Sequence, residues 1–81
     1  MKKKVYVQVV CTHLDNGAVI PHEIWWQDGR RWSIRRVLHT SESPDDLFEG
    51  IRYAVLINRS TRYLYQSGDR WYVETTDKEG A

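Results

Sequence analysis

The chain has 81 residues, a formal net charge of +1 and one cysteine, Cys11. That length sets a single domain, residues 1–81, which buries only somewhat over ~60% of its unfolded surface. One cysteine excludes an internal disulfide framework. No window reaches transmembrane length. Val5-Tyr6-Val7-Gln8-Val9 alternates where a signal peptide would carry an apolar run, so the expected compartment is the cytoplasm.

The first expected strand runs from about Lys3 to Thr12, with Val5, Val7, Val9 and Cys11 on one face. His13-Leu14-Asp15-Asn16-Gly17 reads as a turn, because Asn-Gly readily supplies positive φ. A second strand follows from about Ala18 to Trp26, with Ile20, His22, Ile24 and Trp26 alternating against Val19, Pro21, Glu23 and Trp25. Pro21 has no N–H to give a ladder, so it marks an edge, a strand start or a bulge.

Trp26-Gln27-Asp28-Gly29-Arg30-Arg31-Trp32-Ser33-Ile34 returns almost unchanged as Tyr65-Gln66-Ser67-Gly68-Asp69-Arg70-Trp71-Tyr72-Val73. Each copy reads as a hairpin. A three-residue loop ending in a left-handed Gly29 pairs Trp26 with Arg30 and Ile24 with Trp32, which puts the large apolar residues on one face. The same loop at Gln66-Ser67-Gly68 pairs Tyr63 with Trp71. The third strand, Arg30 to His39, changes apolar phase after Ile34, so a bulge or sharp bend is expected near Arg35-Arg36. In the loop Thr40 to Gly50, Ser43-Pro44 can open one helical turn that lets Leu47 and Phe48 plug an end of the fold. Ile51 to Asn58 is a fourth strand, Arg62 to Gln66 a fifth and Asp69 to Thr75 a sixth. Residues 76–81 read as a polar, disordered tail. The expected fold is therefore all-β: a single six-stranded antiparallel meander closing into a small SH3-like barrel or roll.

Arg supplies eight of the twelve basic side chains, while Glu42, Asp45, Asp46 and Glu49 crowd one loop. Arginine suits planar, bidentate recognition of anions. With Trp26, Trp32, Tyr63, Tyr65 and Trp71 turned inward, the outward set is Trp25, Arg31, Arg35, Arg52, Leu56, Arg62, Leu64, Arg70 and Tyr72. Arginines interleaved with flat rings suit a single nucleic-acid strand, Trp25 and Tyr72 stacking on bases and Arg31, Arg35, Arg52, Arg62 and Arg70 meeting phosphates. The same exposed apolar groups suit a protein partner or a homodimer equally, and solvated charge on a small soluble domain is the plain alternative.

Catalytic and metal chemistry find little footing. Cys11, His13, His22 and His39 are the residues of a conceivable zinc set, but they lie on separate elements without a second cysteine. Cys11 with His13 or His22 is the one nucleophile–base pairing to name, and a mid-strand thiol among valines is inert. The glycines stand alone at turns, so no phosphate loop is present. The expectation is a non-enzymatic module with no cofactor and no metal.

The block from Pro21 to Leu38, with Trp26, Gly29-Arg30, Trp32 and Val37-Leu38, resembles the signature of a family of small bacterial proteins of unknown function. Ile51-Arg52-Tyr53 and Arg70-Trp71-Tyr72-Val73-Glu74 are similar to the later strands of those proteins. The resemblance spans most of the chain, although the acidic loop Glu42 to Glu49 falls outside it. Its motifs are structural and imply the β fold. Some members are thought to be encoded near error-prone DNA polymerases, which implies a nucleic-acid or repair-complex role, with nucleic acid or a DNA-handling protein as partner.

Overall fold

The computed structural model describes residues 2–42 and 50–76, and these form one antiparallel sheet with no helix. Its strands are β1 (Lys2–His13), β2 (Val19–Trp25), β3 (Arg31–Ser33), β4 (Arg36–Glu42), β5 (Ile51–Ile57), β6 (Ser60–Ser67) and β7 (Arg70–Thr76). The spatial order is β3-β2-β1-β7-β6-β5-β4. No helix among the described residues is long and apolar enough to cross a membrane. The helical turn expected at Ser43-Pro44, with Leu47 and Phe48, lies outside the described residues, as does the tail after Thr76.

Seven strands replace the expected six because the third splits at Ile34-Arg35. The bend foreseen at Arg35-Arg36 is found there, and it does more than curve one strand. The Ile34 N–H donates to the His22 carbonyl of β2 at 2.8 Å, and the Arg35 N–H donates to the Leu56 carbonyl of β5 at 2.7 Å. β3 and β4 are thus consecutive in the chain but at opposite ends of the sheet. Laid flat, six strand intervals of about 4.8 Å would separate them by roughly 29 Å. The link from Ser33 to Arg36 can reach only about 11 Å. The sheet therefore curls into a half-barrel, short of the closed barrel expected.

Strand β1 feeds the curl by changing partners: Lys2 to Val7 pair with β7, and Gln8 to His13 pair with β2. Val10 lies opposite Glu23 but Cys11 lies opposite Pro21, so His22 is an extra residue on β2. The missing N–H of Pro21 sits where the ladder is already broken. That bulge shifts the phase. Val19 and Pro21 face the core before it, and Ile24 and Trp26 after it, in place of the uniform Ile20–His22–Ile24–Trp26 row. A second bulge drops Leu38 out of the β4–β5 register between Val37 and His39.

Val7, Ile24, Tyr53, Val55, Ile57, Leu64, Trp71 and Val73 form the buried centre of the concave face. Val5, Val9, Cys11, Trp26, Trp32 and Ile34 pack around them, as the alternation of the first and third strands requires. Each aliphatic buried this fully contributes about 1.5–3 kcal/mol.

The hairpin loops do not repeat as expected. Leu14-Asp15-Asn16-Gly17-Ala18 and Trp26-Gln27-Asp28-Gly29-Arg30 are the true copies. In both, the first residue donates to the fifth (Leu14 to Ala18 at 2.8 Å, Trp26 to Arg30 at 2.9 Å) and the glycine donates back to the first. In both, an Asx side chain accepts the N–H two residues on, Asn16 from Ala18 and Asp28 from Arg30, each at 3.0 Å. Gly17 and Gly29 follow with φ of 88° and 93°. This is the three-residue loop foreseen for Trp26, and Ile24 pairs with Trp32 as it requires. At the third site a serine stands before the glycine in place of the Asx residue. Ser67 pairs directly with Arg70 around Gly68-Asp69, a two-residue loop with positive φ at Gly68 alone. Trp71 consequently lies opposite Gln66 and not Tyr63, and the parity of β6 is inverted. Leu64 points into the core, while Tyr63 and Tyr65 point outward.

One glycine has no substitute. Gly50 has φ of 78°, and a Cβ there would collide with the backbone carbonyl of Gln66. Gly50→Ala is expected to lower stability by about 3 kcal/mol or more, since sterics and strain act together. Gly68→Ala, whose Cβ would meet open space, should cost only about 1–2 kcal/mol. Urea unfolding midpoints of the two variants check the contrast.

Candidate nucleic-acid interface

The outer, convex face carries most of the residues singled out by the sequence, arranged by register into two rows. In one, Arg31 pairs with Trp25 and Trp25 with Gln8. The next position along is Arg70, one residue beyond the Val7–Trp71 pair. In the other, Tyr6, Tyr72, Tyr65, Arg52 and Ser41 succeed one another across five strands.

Cations lie over rings throughout this surface. The Arg31 guanidinium sits 4.9 Å from the Trp25 ring centroid, Arg52 4.8 Å from Tyr63 and Arg70 3.9 Å from Tyr6. Each such pair is worth about 0.5–1 kcal/mol when exposed. More usefully, it holds a long, mobile side chain at a defined place on the sheet. Trp25 is 39% exposed, and its indole N–H donates to Glu23. The ring is thereby fixed at its edge and open on its surface. Tyr63, 47% exposed, offers a second open ring that the inverted β6 parity brings outward.

Tyr72 does not serve as expected. It is on the predicted face but only 1% exposed. Tyr65 stacks on it at 4.9 Å with 5° between the planes, Tyr6 meets it edge-on at 5.9 Å, and Lys4 Nζ lies 4.9 Å from its centroid. A base has no access to that ring. Arg62 departs from the set as well. It pairs with Val55, whose side chain is wholly buried, and lies 5.8 Å from the Trp32 ring on the concave side. The inverted β6 parity puts it there. Arg35 is exposed at the corner between β3 and β4, away from both rows. The structure thus brings together Trp25, Arg31, Arg52 and Arg70, and separates Arg35 and Arg62 from them. Lys4, Tyr6 and Tyr63 join the face. The alternation of β1 marks Tyr6, but Tyr63 emerges only from the two-residue turn at Gly68-Asp69.

The face also carries acids. Glu23 lies in the row between Val10 and Ser33, and Glu74 lies opposite Lys4. Cys11 Sγ lies 3.6 Å from His13 Nε2, while His22 Nε2 bonds Thr12 Oγ1 at 2.7 Å. Among the described residues no three His, Cys, Asp or Glu side chains are grouped to hold a metal ion.

No family model matches the chain, and neither a curated protein nor a solved structure matches it.

Tyr65 is held in its neutral form. Burial first, then the hydrogen bond and charge of Glu74, push its pKa up to about 12 against an opposing contribution from Arg52. An unfolded phenol loses its proton near 10. The folded chain therefore binds the extra proton between those values. This contribution to stability is intact below about pH 10 and lost as pH rises through 12. Tyr65→Phe is expected to flatten the fall in urea midpoint across that range. Equal slopes for variant and parent would refute the assignment.

Proposed function

We propose that this chain is a non-enzymatic binding module of the bacterial cytoplasm whose convex face engages single-stranded nucleic acid, as an accessory of a DNA-handling complex. We read its half-barrel as a variant of the SH3-like roll. The observation that carries the proposal is the Trp25–Arg31 pair: an open indole with a guanidinium fixed upon it, in register with Gln8 and Arg70 on a continuous sheet. Unpaired bases stack on open rings without regard to sequence, and the neighbouring cations follow the phosphates. Arg31 and Arg70 are three strand intervals apart, roughly 14 Å, so they meet phosphates of different nucleotides. In this reading Trp25 and Tyr63 stack, Arg31, Arg52 and Arg70 contact the backbone, Tyr72 supports the face from beneath, and Arg35 and Arg62 add charge from its margins.

A protein partner is favoured by a different observation. Val10 and Ile20 are exposed on the same side of β1 and β2 as Trp25, which makes an apolar area beside the basic one.

Titrating the chain with a short oligothymidylate while following tryptophan emission separates the two. Quenching at low salt is expected, and three phosphate contacts imply an affinity loss of roughly 20-fold between 50 and 200 mM salt. Trp25→Ala should weaken binding by about 1–3 kcal/mol, and Arg31→Ala should lower the salt slope by about 0.7. Absence of quenching at 50 mM salt would remove the nucleic-acid reading and leave the protein partner.

A further inference from the structure

Strand β1 outruns its neighbour. β7 begins at Arg70, and among the described residues no strand pairs with that side of β1 from Val9 to His13. Alternate residues of such a stretch turn their N–H and C=O groups away from the sheet, a template for another strand. Edges of this kind are usually blunted by charge, proline or a bulge. Val9-Val10-Cys11-Thr12-His13 contains neither proline nor Lys, Arg, Asp or Glu, and the bulge nearby belongs to β2. β4, at the end of the sheet, is by contrast bulged at Leu38 and flanked by Arg36 and Glu42.

Two features bracket the open stretch. Where β7 stops, a cavity of about 350 Å³ opens, with Val7, Val9 and Trp71 among its apolar lining and Asp69 and Arg70 beside them. At the other end stands the β1–β2 turn, with Leu14 42% exposed and Asp15 exposed next to it.

We propose that two copies of this chain pair antiparallel through this edge of β1, with the two-fold axis at Cys11, the midpoint of the open stretch. Val9 then lies opposite the partner's His13 and Val10 opposite the partner's Thr12. The second chain leaves the strand at the partner's Leu14, because Arg70 already flanks Gln8. The turn of each copy arrives at the notch of the other. Leu14 meets the apolar lining, and Asp15 comes beside Arg70. The contact is isologous, so both ends are satisfied by one geometry. The paired stretch Val9–His13 itself carries no Lys, Arg, Asp or Glu, so no like charges meet along it. This pairing stands independently of the nucleic-acid reading. Arg70 is common to both, so an oligonucleotide and a second copy compete for it.

Sedimentation equilibrium of the full chain without nucleic acid tests the proposal. Dimer is expected for the parent. Asp15→Arg should weaken it about tenfold or more, as Arg70→Asp should, and the double variant should return most of the loss by restoring opposite charges. Both positions are exposed turn or strand-end sites, and circular dichroism confirms that each variant is folded. A short bis-maleimide should join the parent dimer through Cys11. A parent that stays monomeric at high concentration, a double variant no tighter than the singles, or a dimer that resists the thiol cross-linker would overturn it.

Discussion

Ile34 and Arg35 donate backbone hydrogen bonds to different ends of one sheet, the first to His22 on β2 and the second to Leu56 on β5. Two residues of chain thereby tie strands that a flat sheet would hold far apart, and the curl follows from that tie. The partner exchange of β1 at Gln8 and the bulges at His22 and Leu38 are where the strands absorb the bending, since a bulge raises local twist at the position of its extra residue. A concave interior appears as a consequence. It is small enough for Trp26, Trp32 and Trp71 to fill along with the aliphatics, which suits a chain of this length with few residues to spend on a core.

Much of this architecture was legible because alternation reports directly on burial. Val5, Val7, Val9 and Cys11, and later Ile51, Tyr53, Val55 and Ile57, occupy the face their spacing implied. The bend after Ile34 was visible as a break in apolar phase. Strand number was not legible, since a chain can keep an extended conformation through a corner while its partners change on either side. Pro21 announced an irregularity, but its N–H deficit does not say which neighbour becomes the extra residue, and the answer, His22, reverses the phase of everything before it.

The candidate site was legible only as far as turn chemistry could be read. Asp28-Gly29 and Ser67-Gly68 look alike in a sequence, yet a carboxylate can accept the N–H two residues on and does so at 3.0 Å. The Gly68 loop, with serine at that position, is shorter by one residue. A single residue in a loop inverts a whole strand, because side chains alternate with a period of two. Arg62 and Leu64 exchanged faces with Tyr63 and Tyr65 for that reason. Trp25 and Arg31, set by the capped loop, remained where they were expected.

The same inversion explains why the outer aromatics divide into two kinds. β6 and β7 share only three registered pairs, Ser67–Arg70, Gln66–Trp71 and Tyr65–Tyr72, before the ladder ends. Tyr65 and Tyr72 stack at the last of these, 4.9 Å apart and nearly coplanar in orientation. Such a pair adds about 0.5–1.5 kcal/mol beyond its buried area, at the place where backbone hydrogen bonds cease to hold the strands. Tyr6 and Lys4 close over the stack, and Glu74 and Arg52 engage the Tyr65 hydroxyl. These rings are committed to the joint between strands. Trp25 also ends its ladders, at the Gln8–Trp25 and Trp25–Arg31 pairs, but a guanidinium and not a second ring lies over it. It keeps 39% of its surface exposed, as Tyr63 keeps 47% beside Arg52. The outer aromatics are therefore divided by what packs on them: ring against ring buries Tyr65 and Tyr72, whereas ring against guanidinium leaves Trp25 and Tyr63 accessible.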